Sequence, residues 1–171
     1  MPDGQTTQTA QETVFLDYTQ EELNWQYDHS KRFGDTGVFT TSRMKKSAQV
    51  RKLLKCQLDV AYGPGEDELL DIFPAKQGNA PIVVFIHGGA WLRGHKDNCS
   101  YLAEHLIPAG VTYIATNFSS IPKVNLDEMV RQNRAALAWV HQNAASFGGD
   151  PNRIHVTGHS SGGHLSSMML V

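Results

Sequence analysis

RIHVT (153–157) followed by GHSSGG (158–163) decides how this chain is read. RIHVT reads as a strand, and the chain turns at GHSSGG into a helix that begins at Ser161. Gly158, His159, Ser160, Ser161 and Gly162 match the pattern GxSxG, in which a serine sits on a sharp strand-to-helix turn. A serine hydroxyl is a poor nucleophile unless it is held exposed and given a base, and the turn supplies the first condition. Glycines flank it because so tight a turn leaves no room for side chains against the neighbouring backbone. A Gly/Ser-rich turn can match such a pattern by chance; the strand before it and the helical stretch after it weigh against that.

Working outward, PIVVFI (81–86) is a short, continuous apolar run, as expected of a parallel strand buried on both faces. HGGAW (87–91) follows it directly. Attack on a carbonyl places negative charge on its oxygen, and backbone N–H groups aimed there in advance are worth about 3 kcal/mol each. Gly88 and Gly89 let the backbone approach, so their N–H groups, joined by that of Ser161, are the candidate donors of an oxyanion hole. His87 is expected to brace the loop rather than act as base. Trp91 is read as a wall of the acyl pocket, with core filling as the alternative. Two loops that leave the same end of a parallel sheet should meet at one site.

The remaining pattern agrees with such a sheet. Residues 54–62 and LLDIF (69–73) flank the turn cluster GPGED (63–67), predicting an antiparallel hairpin. VTYIATNF (111–118) is a further strand, Asp97 is the expected cap of a helix ending at Gly110, and Asn125 with Glu128 opens the longest helix, ending near Gly148. Thr19 with Glu22 has capping-box spacing for a short helix bearing aromatic residues, and another helix is expected from Ser42 to about Arg51; both either lie over the site or extend the core. Residues 1–12, polar and rich in Gln and Thr, are expected to be a disordered tail, leaving 13–171 as part of one domain. The fold class is α/β, with a mostly parallel sheet preceded by an antiparallel hairpin.

Composition narrows the function. A net charge of −2 and a pI near 6.4 provide no basic excess to neutralise nucleic-acid phosphates or an anionic membrane. Cys56 and Cys99 lie far apart, with no CxxC or Cys/His cluster of zinc spacing, and read as reduced, structural thiols. The start has no signal-like apolar run and no stretch is apolar enough to span a bilayer, so a cytoplasmic protein acting on a small molecule is expected. The oligomeric state is open, a homodimer included.

LNWQYDHSKRF (23–33), LLDIFP (69–74), HGGAWLRGHKD (87–97) and GHSSGGHLSSMML (158–170) together resemble the α/β-hydrolase superfamily, in its branch of HGG-type lipases and esterases. More narrowly they are similar to the kynurenine formamidase (arylformamidase) family. The resemblance implies hydrolysis of a small-molecule ester or of a formamide, N-formylkynurenine, in tryptophan catabolism, through an acyl-enzyme on Ser160 and with no metal or organic cofactor. The family runs nucleophile, acid, base along the chain. Only 11 residues follow Ser160 here, so acid and base are expected to be missing, the fold to be cut short after the serine turn, the strand at 153–157 and the helix after Ser160 to show uncovered apolar faces, and the chain alone to be inactive. His159 and His164 are expected to point away from the Ser160 hydroxyl. A non-catalytic receptor of the same fold and a half-domain needing a partner chain are the other readings.

Overall fold

The computed structural model describes residues 12–28 and 33–170; most of the expected 1–12 tail lies outside them. The chain divides into two compact units, Met1–Thr40 and Thr41–Val171. In the first, β1 (Thr13–Phe15) and β2 (Tyr18–Thr19) form a two-stranded antiparallel ribbon that the sequence pattern did not reveal. It leads into α1 (Gln20–Tyr27), where the Thr19 side chain accepts from the Glu22 N–H while Glu22 reaches back to the Thr19 N–H. This reciprocal capping satisfies two orphan donors. α1 buries none of its residues.

The second unit is built on a five-stranded sheet: β3 (Gln57–Ala61), β4 (Leu69–Phe73), β5 (Ala80–Ile86), β6 (Thr112–Thr116) and β7 (Gly149–Gly158), in the order β3-β4-β6-β5-β7. The sheet is mixed rather than mostly parallel: β4 pairs antiparallel with both β3 and β6, while β5 pairs parallel with β6 and β7. The reason is chain length. Only residues 74–79 link β4 to β5, too few for a crossover of a dozen or more residues, so the chain must reverse. The links from β5 to β6 and from β6 to β7 carry helices and permit parallel pairing.

Alternate residues of the strands serve the two faces. On one, Leu70, Ile72, Ile82, Val84 and Ile114 pack with Ala136 and Val140 of α4 (Leu126–Asn143). On the other, Phe73, Phe85, Tyr113 and Ala115 meet Val50 of α2 (Gly37–Leu53) together with Ala103 of α3 (Ala103–Leu106) and Ile107. Each fully buried Leu, Ile or Val contributes roughly 1.5–3 kcal/mol, and burial on both sides is why these strands read as unbroken apolar runs. α2 is longer than the expected 42–51. α4 starts where expected, Asn125 Oδ1 accepting from the Glu128 N–H at 2.9 Å, and the turn after it closes at Gly148, with φ +76°.

Two further expectations are corrected. Asp97 caps no helix: the His95 ring accepts its N–H, and residues 96–102 form two short 3-10 turns before α3. The Asp97 carboxylate is instead engaged by Lys96 and Arg51. Nor does β7 show an open apolar face, since its exposed positions include Arg153, His155 and Thr157, while Ile154 and Val156 are half-buried against the core. Among the described residues no helix is long and apolar enough to cross a membrane. Both thiols are free, and burial pushes that of Cys99 up to about 12.

Candidate active site

β5 and β7 are parallel neighbours with Ile86 opposite Gly158, so the loops that follow them emerge side by side. After β7 the chain turns at His159 and Ser160 into α5 (Ser161–Ser167). Ser160 has φ +55° and ψ −124°, a conformation unfavourable for any residue with a Cβ. The surroundings enforce it. His159 N–H donates to the Ile86 carbonyl (3.3 Å), Gly162 N–H to His159 (2.9 Å) and Gly163 N–H to Ser160 (2.9 Å). A Cβ on Gly162 would lie 2.1 Å from the Ile86 carbonyl oxygen, so only glycine lets the helix start this close to β5. The Ser160 side chain is exposed, does not cap α5, and hydrogen-bonds no described residue. His159 and His164 are thus not hydrogen-bonded to it; the His164 ring meets the Trp91 indole edge-on at 5.6 Å.

The 87–91 loop reaches the same point. A Cβ added to Gly88 would sit 3.0 Å from Ser160 Cβ and 2.4 Å from the His159 carbonyl oxygen. Gly89, Ala90 and Trp91 all have positive φ (137°, 55° and 60°), the last two at a cost of about 1–2 kcal/mol each. Contacts on every side hold them there. The Gly89 carbonyl accepts the N–H groups of Leu92 and Arg93, Trp91 N–H donates to Ser161 Oγ (3.3 Å), and the Trp91 carbonyl accepts the Ile121 N–H (2.9 Å). His87 is buried, stacks on Phe118 (4.3 Å between ring centres) and donates from Nδ1 to the Gly88 carbonyl (3.0 Å). Burial outweighs that hydrogen bond and pushes its pKa below the usual imidazole range. His87 is therefore a neutral brace, as expected. Trp91, 37% exposed, is no core residue.

Ser160, Ser161, Gly88 and Trp91 are thus brought together, with Gly89 in the same turn. Sequence reasoning missed the Ser161 hydroxyl as a tie between the loops and Phe118 as the partner of His87. It also missed a buried charge cluster at the far end of the loop, for which the signal was a lone Asp71 inside the apolar run LLDIF.

Comparison with known proteins agrees with this architecture. The chain is 32% identical over 148 residues to kynurenine formamidase of Salmo salar, covering 85% of this chain and 49% of that protein. It is also 32% identical over 127 residues to isoprenylcysteine alpha-carbonyl methylesterase of Arabidopsis thaliana, covering 73% of this chain and 28% of that protein. The chain therefore spans between a quarter and about half the length of these relatives. Among solved structures, a candidate thioesterase from Silicibacter sp. superposes with a TM-score of 0.77 at 26% identity, over 87% of this chain and 55% of that one. The BD-FAE family model matches residues 70–171, which run from within β4 through the 87–91 loop and the serine turn. The chain belongs to the BD-FAE family of esterase-like proteins with the α/β-hydrolase fold.

Proposed function

We propose that Ser160 is the nucleophile of a hydrolase that cleaves a small carboxylic ester or an aryl formamide through an acyl-enzyme. The single observation that carries this is the strained, exposed Ser160 packed against Gly88, since a serine kept in an unfavourable conformation beside an amide-rich loop suits attack on a carbonyl. Ser160 Oγ adds to the acyl carbon and its proton passes to a general base. The carbonyl oxygen takes up the negative charge and receives hydrogen bonds from the N–H groups of Gly88, Gly89 and Ser161. Collapse expels the amine or alcohol, reprotonated by the same group, and leaves the acyl group on Ser160; water then releases it as the acid. Trp91, next to the donor loop, walls the acyl pocket.

The similarity to kynurenine formamidases points, for this chain, to a formyl group on an aromatic amine as the substrate, and a reaction of that kind would belong to tryptophan catabolism. The test compares N-formylkynurenine, p-nitrophenyl acetate and long-chain p-nitrophenyl esters as substrates of the full polypeptide that carries this chain. Small acyl groups should be preferred and all turnover lost in Ser160→Ala. A clear preference for long chains would reject the formamidase reading, and activity surviving in Ser160→Ala would reject the nucleophile.

A further inference from the structure

Two of the stretches that carry the family resemblance, LLDIFP and HGGAWLRGHKD, meet at a point remote in sequence from Ser160. Asp71 of β4 lies on the sheet face that packs against α2, surrounded in sequence by apolar residues and fully buried. The ammonium of Lys96, also fully buried, donates to Asp71 Oδ1 (2.8 Å), to Asp97 Oδ1 (3.0 Å) and to Asp59 Oδ1. Arg51 of α2 pairs with Asp97 (3.0 Å), and the Asp59 N–H donates to Asp71 Oδ1 (2.9 Å). Burial opposes the charge on Lys96, but the bonds to Asp59, Asp71 and Asp97 outweigh it and hold the ammonium above the usual lysine value.

A buried ion pair is a poor way to gain stability, because desolvation consumes most of the attraction. What it supplies is direction: each charge has one acceptable location. Lys96 lies two residues beyond Gly94, and Gly94 is folded back onto the start of the loop, where a Cβ would stand 2.3 Å from the Gly88 carbonyl oxygen and 2.4 Å from His87 Nδ1. The Lys96 N–H also donates to Asn117 Oδ1 (3.4 Å), just beyond β6. A displacement at Lys96 is therefore passed through Gly94 to the backbone of Gly88, beside Ser160.

We infer that Lys96 is a positioning residue: its buried ion pair with Asp71 pins the 87–97 loop to the sheet and so fixes the N–H groups of Gly88 and Gly89. The structural part stands alone; the catalytic part rests on the reading of that loop as the oxyanion loop. Lys96→Met leaves Asp71 buried without its cation and can unfold the protein, so the decisive variant is Lys96→Met with Asp71→Asn, which removes both charges. Amide hydrogen exchange on the 171-residue chain should show the amides of Trp91, Leu92 and Arg93, which donate to Ser161 Oγ and to the Gly89 carbonyl, exchanging at least about tenfold faster in the double variant, with the amides of Val83–Phe85 in β5 unchanged. Lys96→Arg should retain most of the protection. In the full polypeptide the double variant should lose about 10- to 100-fold in kcat with KM within about threefold, as expected of a loop displaced by up to 1 Å. Unchanged exchange at 91–93 in a folded double variant overturns the inference, as does a general rise that includes β5. Faster loop exchange with unaltered kcat overturns only its catalytic part. Activity that persists in Ser160→Ala counts against the proposed function and leaves the anchoring result intact.

Discussion

Replacing Gly88 by alanine tests whether the two loops are as close as the site requires. Gly88 is not among the residues with positive φ, so alanine costs nothing there in backbone torsion and the whole effect is steric. The new methyl would lie 2.4 Å from the His159 carbonyl oxygen, 3.0 Å from Ser160 Cβ and 3.2 Å from His159 Nδ1. A carbon and a carbonyl oxygen come to rest at roughly 3.3 Å, so the loop and the serine turn must separate by about 0.9 Å, a displacement of the scale that costs about 100-fold in rate. Overpacking of this kind costs typically 1–3 kcal/mol. For a chain of this size that lowers Tm by roughly 2–12 °C, at about 2–4 °C per kcal/mol. Differential scanning fluorimetry of the 171-residue chain reads the fall in Tm, and the rate of Ser160 acylation by p-nitrophenyl acetate in the full polypeptide reads the loss in rate. A Gly88→Ala protein with Tm within 1 °C of the parent and an acylation rate within about twofold would refute the close packing of the loops.

Further outcomes are expected. The 171-residue chain should hydrolyse p-nitrophenyl acetate no faster than its Ser160→Ala variant, because Ser160 hydrogen-bonds no described imidazole and loss of triad function costs roughly 10⁴- to 10⁶-fold; a rate abolished in the variant would reveal a base within the chain. His87 is held below its unfolded value near 6.5, so the unfolded chain binds the extra proton and stability should fall as pH drops below about 6.5. Thermal melts at pH 7.5 and 5 should show that loss, and His87→Gln should diminish it; an undiminished slope would place its origin elsewhere. Asn125→Ala removes the side-chain acceptor of the Glu128 N–H and should cost about 1 kcal/mol, or about 2–4 °C in Tm.

The parts of the fold legible in the sequence are those written in local pattern. PIVVFI and VTYIAT showed their burial as continuous apolar runs, and Asn125 and Thr19 announced their helices by capping spacing. Gly88 and the Ser160 turn were legible for a similar reason, each being a glycine-rich break directly after a strand. What was not legible depends on partners distant in the chain. Asp97 has the look of a cap because capping is a local rule, yet its carboxylate is claimed by Arg51, 46 positions earlier, and by the neighbouring Lys96. The antiparallel setting of β4 against β6 is equally invisible to periodicity, since strand direction leaves no trace in which residues are apolar. The β1–β2 ribbon was overlooked because its residues are exposed or half-buried and so carry no burial signal.

The strand order carries a consequence for how the protein is made. β4 and β5 run antiparallel and are joined by residues 74–79 alone, yet in the finished sheet β6 lies between them. On a ribosome adding about 5–20 residues per second, β5 leaves the exit tunnel roughly 1–5 s before β6, because residues 87–111 separate them. A hairpin can zip in about 1–10 μs. For that interval β4 and β5 are free to pair directly with each other, an arrangement that must come apart before β6 can enter. Nascent chains stalled when residue 90 and when residue 120 have just left the tunnel would then protect the same β4 and β5 amides through different partners, and the longer chain would gain its native pairing only by first undoing the earlier one.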